Sequence, residues 1–178
     1  MPTMSDYYER LGLPRRFSID EAEVERRYLA QSRQFHPDFH GGASDADQLF
    51  VIEQTASLNQ AYTTLKDPFR RAEYLLSLLG GPTAGQEKSQ DQSFLMQMME
   101  TREQMDEIRA AGGSLSELEA DLMGQFSVVI ADVASRFAKI ESQPTPLPTE
   151  LVDIRRHLNA ARTIQSLLRD LRGTPDRG

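Results

Sequence analysis

His36-Pro37-Asp38-Phe39-His40 places two of the chain's three histidines and a carboxylate within five residues. A His-x-Asp-x-His run offers three metal ligands, and imidazole beside carboxylate is also a pairing used in catalysis. The same run reads equally well as a rigid polar protrusion for another protein to grip, since Pro37 fixes the backbone and Gly41 and Gly42 follow. A metal-dependent enzyme built on His36, Asp38 and His40 is therefore one alternative. Metallohydrolases with such an element add ligands from distant loops, and the one other histidine, His157, falls in the last predicted helix. No G-x-S-x-G elbow and no Gly-rich phosphate loop accompanies the run.

Composition narrows the choice. The 178 residues suffice for one medium domain or two small ones, and 39% hydrophobic with 26% charged residues allows a packed core. The chain has no cysteine, which removes disulfides, thiolate-bound clusters, zinc knuckles and cysteine nucleophiles. That fits a reducing compartment. A net charge of −7 argues against nucleic acid as a partner. The start, MPTMSDYYER, lacks the basic flank and apolar run of a signal peptide, and no apolar stretch reaches membrane-spanning length. The expectation is a cytoplasmic protein with no membrane partner and no cofactor.

The elements that must position the histidine run are helical throughout; no strand-type alternation and no repeat occurs. A short helix around Tyr7, Tyr8 and Leu11 ends at Gly12-Leu13-Pro14. Ser18-Ile19-Asp20-Glu21 reads as a capping box that opens a helix to about Gln34. Val24, Tyr28 and Phe35 share one side of it; Arg26 and Arg33 take the opposite side, with Arg27 flanking. Pro37 stops that helix. A second long helix starts near Ser44-Asp45, with Val51, Thr55, Leu58, Tyr62 and Leu65 in one stripe. The two make an antiparallel hairpin whose connection carries His36-Pro37-Asp38. Asp67-Pro68 caps a short helix ending at Gly80-Gly81-Pro82. Residues 80–92, GGPTAGQEKSQDQ, read as a linker. Three helical patterns follow: 93–110; then one opened by a second capping box, Ser114-x-x-Glu117, and running to about Glu141; then one from about Thr149 to Leu171. Leu151, Ile154, Leu158, Ala161, Ile164 and Leu168 form the buried side of the last. The fold class is all-α, with units at 1–79 and 93–178, the second a three-helix bundle.

The hairpin, its outward arginines, its His36-Pro37-Asp38 turn and the later Asn59-Gln60-Ala61-Tyr62-x-x-Leu65-x-Asp67-Pro68 together resemble a J domain, the module that activates DnaK-type ATPase chaperones. The resemblance implies that His36, Pro37 and Asp38 form the contact point. It also implies that Arg26, Arg27 and Arg33 supply a positive face for an acidic patch of the chaperone. Phe39 and His40 follow the tripeptide where the family commonly carries a lysine or arginine.

On the 93–110 helix, steps of about 100° per residue put Phe94, Met98, Met105 and Ile108 on one side, which reads as core. Leu95, Met96, Met99, Glu100 and Glu103 gather on the opposite side, an apolar patch edged by acids. Methionines suit an adaptable interface. FRRAEYLLSLLG followed by SFLMQMMETREQMDEI is similar to the HscB family of J-type co-chaperones of iron–sulfur cluster biogenesis, in its bacterial form. That resemblance implies two partners, an HscA- or DnaK-type chaperone on the J domain and an IscU-type scaffold on the bundle. It places scaffold binding on Leu95, Met96, Met99, Glu100 and Glu103. The family's further aromatic contact on the last helix falls here at Arg156 or His157. A co-chaperone of this kind is not an enzyme; it changes a partner's rate. A J protein serving a different client is the other alternative.

Overall fold

The computed structural model describes residues 6–35 and 45–173, and among these it is helical with no strand. The helices are α1 (Tyr7–Leu11), α2 (Glu21–Ser32), α3 (Asp45–Lys66), α4 (Pro68–Leu78), α5 (Gln92–Ala110), α6 (Ser116–Glu141) and α7 (Pro148–Leu171); a 3-10 turn, Arg33–Phe35, prolongs α2. None of them is long and apolar enough to cross a membrane. The chain divides into two compact units, Met1–Leu75 and Leu76–Gly178.

In the first unit α2 and α3 form the expected hairpin. Tyr28 stacks on Tyr62 with ring centroids 4.2 Å apart, and the Tyr28 hydroxyl donates to Asn59 Oδ1 at 2.9 Å. Glu25 lies 3.9 Å from Lys66, so partners on α3 rise in number as those on α2 fall, and the helices are antiparallel. Leu58 and Leu65 of the α3 stripe are buried with Val24. α1 closes against α4: Tyr7 stacks on Tyr74 at 4.3 Å, and its amide donates to the Tyr74 hydroxyl at 3.0 Å. Burial pushes the Tyr74 phenol above its ordinary pKa. Gly12 takes φ 66 beyond α1, where its amide and that of Leu13 donate to the carbonyls of Glu9 and Tyr8; a side chain there would strain the turn.

Helix starts differ from the sequence expectation at two places. Ser18 does not cap α2. The cap is Asp20, whose Oδ1 accepts from the Ala22 amide at 3.0 Å, and the first helical bond runs from Val24 N to Asp20 O. A carboxylate is the stronger acceptor at the positive end of a helix, and Ile19 N is occupied with Phe17 O. Likewise Ser114 lies one residue too early to cap α6, which begins after Leu115; Ser114 Oγ accepts from Ser116 N at 3.3 Å.

In the second unit the three helices run up, down and up. Arg136 of α6 meets Asp153 of α7 at 2.6 Å and Glu119 meets Arg172 at 2.7 Å, an antiparallel pairing. On the α5 side Gln90 meets Thr163 and Arg102 meets Asp170, so α5 and α7 are parallel. Met98 and Met105 of α5, Leu122 of α6 and Ile164, Leu167, Leu168 and Leu171 of α7 make one core. All six residues expected on the buried side of α7 are buried. Pro148 starts α7, and Glu150 Oε2 accepts from the Leu147 amide at 3.0 Å.

Candidate functional site

The N-terminal candidate face lies on α2. Arg26, Arg27 and Arg33 are all exposed. Arg26 pairs with Glu23, and the same carboxylate receives Arg27 Nε at 2.6 Å, so two of the three cations share one anion. Arg26 and Arg33, two helical turns apart, stand with Glu25 around a shallow groove of 460 Å³. Its other walls are Ala22, Leu29 and Ala30. Arg27 does not line it; its guanidinium lies toward Gly12. The groove is thus an apolar strip edged by charge, which the reading of the arginines alone missed. The spacing of Ala22, Arg26, Leu29, Ala30 and Arg33 at one helical face was the available signal. His36, Pro37, Asp38 and His40 lie outside the described residues.

Near the end of α3 a cation is held by Tyr62. Lys66 Nζ donates to the Tyr62 hydroxyl at 2.7 Å and lies 5.1 Å from the ring centre. That hydrogen bond, together with the charge of Glu25, raises the lysine pKa above its ordinary value. Among the described residues no group of three or more His, Asp or Glu is gathered to hold a metal.

The C-terminal candidate face lies on α5. Asp91 caps the helix by accepting from Phe94 N at 3.0 Å, and Ser93 adds a second bond to the same carboxylate. These bonds hold the Asp91 carboxyl below its usual pKa, with Ser93 the larger cause. One side of α5 then enters the core through Met98, 4% exposed, and Met105. The other leaves Leu95 at 40%, Met96 at 57% and Met99 at 66% exposed, with Glu100 and Glu103 in solvent beside them. All five residues are therefore together on one accessible face. A patch of large side chains exposed on one helix, beside carboxylates, has the composition of an adaptable apolar interface with an acidic rim.

Arg156 and His157 sit on α7 near the start of α5. They line a groove of 520 Å³ with Asp153, Ala160, Phe94 and residues 89–91. His157 Nδ1 lies 2.8 Å from Asp153 O, one turn back on its own helix, and Asp153 also receives Arg136. The position that the family resemblance assigned to an aromatic is thus a polar wall. Residue types alone do not announce this groove, since its walls come from two stretches, 89–94 and 153–160, that lie far apart in the chain.

Residues 80–92, expected as a linker, contain no helix before Gln92 and lie along α7. Arg155 Nε donates to Pro82 O at 3.0 Å and Asn159 Nδ2 to Glu87 O at 2.9 Å. Arg156 reaches the Glu87 carboxylate at 3.4 Å, and Gln90 Nε2 donates to Thr163 Oγ1 at 2.9 Å.

Comparison with known proteins agrees with both halves. Residues 6–74 match the DnaJ domain and residues 90–165 the HSCB C-terminal oligomerisation domain. The chain is 40% identical, over 127 residues, to the co-chaperone protein HscB of Proteus mirabilis (strain HI4320), a match covering 69% of this chain and 73% of that one. The solved structure of chaperone HscB from Vibrio cholerae is similar with a TM-score of 0.77 at 30% identity, covering 95% of this chain and 96% of the other. Human co-chaperone HscB shares the fold, with a TM-score of 0.78 at 24% identity over 97% of this chain and 83% of that one.

Proposed function

The chain belongs to the HscB family of J-domain co-chaperones of iron–sulfur cluster biogenesis, and from that premise we propose that it carries an IscU-type scaffold to an HscA- or DnaK-type ATPase chaperone. The scaffold docks on the α5 face of Leu95, Met96, Met99, Glu100 and Glu103. The chaperone docks on the N-terminal unit, on Arg26, Arg27 and Arg33 of α2 and on His36, Pro37 and Asp38. The observation that carries the reading is the α5 face, where three large apolar side chains stand in water while their neighbours Met98 and Met105 fill the core.

The mechanism is one of linked binding. A chaperone of this class holds clients firmly after hydrolysing ATP and releases them readily before. A co-chaperone that brings the scaffold and speeds hydrolysis at once raises capture of that client over others. The reaction is the chaperone's; this chain is not an enzyme and holds no cofactor. The iron–sulfur cluster is the scaffold's cargo.

Steady-state ATPase of the chaperone, with this chain and the scaffold added singly and together, tests the proposal. Stimulation that is synergistic and needs both is expected. Stimulation by this chain that ignores the scaffold would assign it another client, and no stimulation with any of the organism's chaperones of this class would overturn the reading.

A further inference from the structure

Two buried polar side chains on α7 belong to neither docking face. Arg155 is 2% exposed and Asn159 is 7% exposed. Polar groups buried this deeply are costly unless paired, and each donates to a main-chain carbonyl of the segment before α5, Arg155 to Pro82 and Asn159 to Glu87. With Thr163 they form one stripe along α7, at steps of four residues. The segment follows that stripe in order: Pro82 on Arg155, Glu87 on Asn159, Gln90 on Thr163. Glu87 is tied three ways, by its carbonyl to Asn159, by Oε2 to Arg156, and by Oε1 to the Ser89 amide at 2.8 Å.

The last tie, at Gln90, stands one residue before the Asp91 cap and two before the first residue of α5. Only Asp91 separates that tie from the first residue of the helix. α5 is otherwise joined to α7 by side chains of its buried side and by the surface contacts of Arg102 and Arg109 with the end of α7. The segment therefore fixes the end of α5 that carries Leu95 and Met96.

We infer that residues 82–90 are a strap that sets the position of α5 on α7, and that Asn159 and Gln90 are positioning residues for scaffold docking although neither belongs to the docking face. The inference rests on the docking proposal above. A face whose side chains are held ready loses less freedom on binding than one that must be ordered by the partner. When only a fraction of molecules present the face correctly, the apparent affinity falls by that fraction.

The test uses the full chain with Asn159→Ala and, separately, Gln90→Ala, the second being a substitution at a half-buried position that leaves both cores intact. Three quantities are measured: scaffold affinity by calorimetry, amide hydrogen exchange, and chaperone ATPase with and without scaffold. Each variant is expected to weaken scaffold binding roughly fivefold or more. Faster exchange should be confined to residues 86–96, with α6 and α7 unchanged. ATPase stimulation by the variant without scaffold should equal that of the unaltered chain. Unchanged affinity despite faster exchange at 86–96 would overturn the inference, since the strap would then loosen without consequence for docking. Weaker affinity without faster exchange there would also overturn it, because the residues would be acting some other way. Should the unaltered chain not bind scaffold at all, the docking proposal itself fails and the inference falls with it.

Discussion

Tyr28 and Tyr62 lie face to face, one from each arm of the α2–α3 hairpin, 4.2 Å apart between ring centres. Each ring has a polar handle that ties it further: the Tyr28 hydroxyl to Asn59, the Tyr62 hydroxyl to Lys66. Stacked aromatic pairs add about 1 kcal/mol beyond the area they bury. Tyr62→Ala should therefore lower the stability of the N-terminal unit by about 2–3 kcal/mol. Tyr28→Phe, which removes one exposed hydrogen bond and keeps the stack, should cost less than about 1 kcal/mol. Urea unfolding followed by circular dichroism ranks the two. Equal costs would mean that the hydroxyls and not the rings hold the hairpin.

Adjacent methionines on α5 should give opposite phenotypes. Met98 is buried in the core, so Met98→Ala should cost about 2–4 kcal/mol of stability through lost contact and cavity. Met99 is in water, so Leu95→Ala with Met99→Ala should leave the melting temperature nearly unchanged. The same pair should weaken scaffold binding by about 2 kcal/mol, the loss of a hot spot. A double variant that melts early and still binds would make that face structural.

Asp38→Asn should return chaperone ATPase to its basal rate while scaffold affinity and the unfolding midpoint stay as they were. The expectation follows from the J-domain assignment, because the scaffold face and the core of the C-terminal unit draw on residues far along the chain. Retained stimulation would remove the His36-Pro37-Asp38 mechanism.

Acid should weaken the C-terminal unit through three carboxylates. Hydrogen bonds from Ser89, and then Arg156, hold Glu87 below its ordinary pKa; Ser93 and the Phe94 amide do the same for Asp91, and the Leu147 amide and Gln143 for Glu150. A carboxyl with a depressed folded pKa contributes its stability in full above the unfolded pKa and loses it as pH falls through the folded value. The urea midpoint should thus be flat near neutrality and fall below about pH 4. Combining Glu87→Gln, Asp91→Asn and Glu150→Gln should make that fall shallower. A variant that tracks the unaltered chain down the acid limb would show that other groups set it.

The helices of this chain are legible because burial repeats with the helical period. The six apolar positions assigned to the inner side of α7 and the core positions of α5 follow from spacing alone. Caps are less legible, since Ser18 and Asp20 are both able to start α2 and only the competition between them decides. Least legible are the buried polar residues. Arg155 and Asn159 look like surface residues in the sequence, because their partners are carbonyls 73 and 72 residues away, and a main-chain acceptor leaves no mark on residue type. Arg71 in the first unit is also buried on a main-chain acceptor, with Nη1 on Leu65 O and its cation over the Phe17 ring. The α5 face was legible because Leu95, Met96 and Met99 fall by helical spacing on the side opposite Met98 and Met105.

α7 has no idle side. Leu151, Ile154 and Leu158 are buried on one flank, Arg155, Asn159 and Thr163 grip the segment before α5 on another, and Asp153, Arg156 and His157 wall a groove on a third. One extra residue inserted after His157 would rotate everything beyond it by about 100° and carry it about 1.5 Å along the axis. Apolar side chains would turn outward, and the stripe that grips Glu87 and Gln90 would turn away from them in the same stroke. The same insertion in the connection between α5 and α6, at Gly112-Gly113, would shift no helical register at all. Lineages of this protein should therefore vary in length between its helices and hold the length of α7 constant.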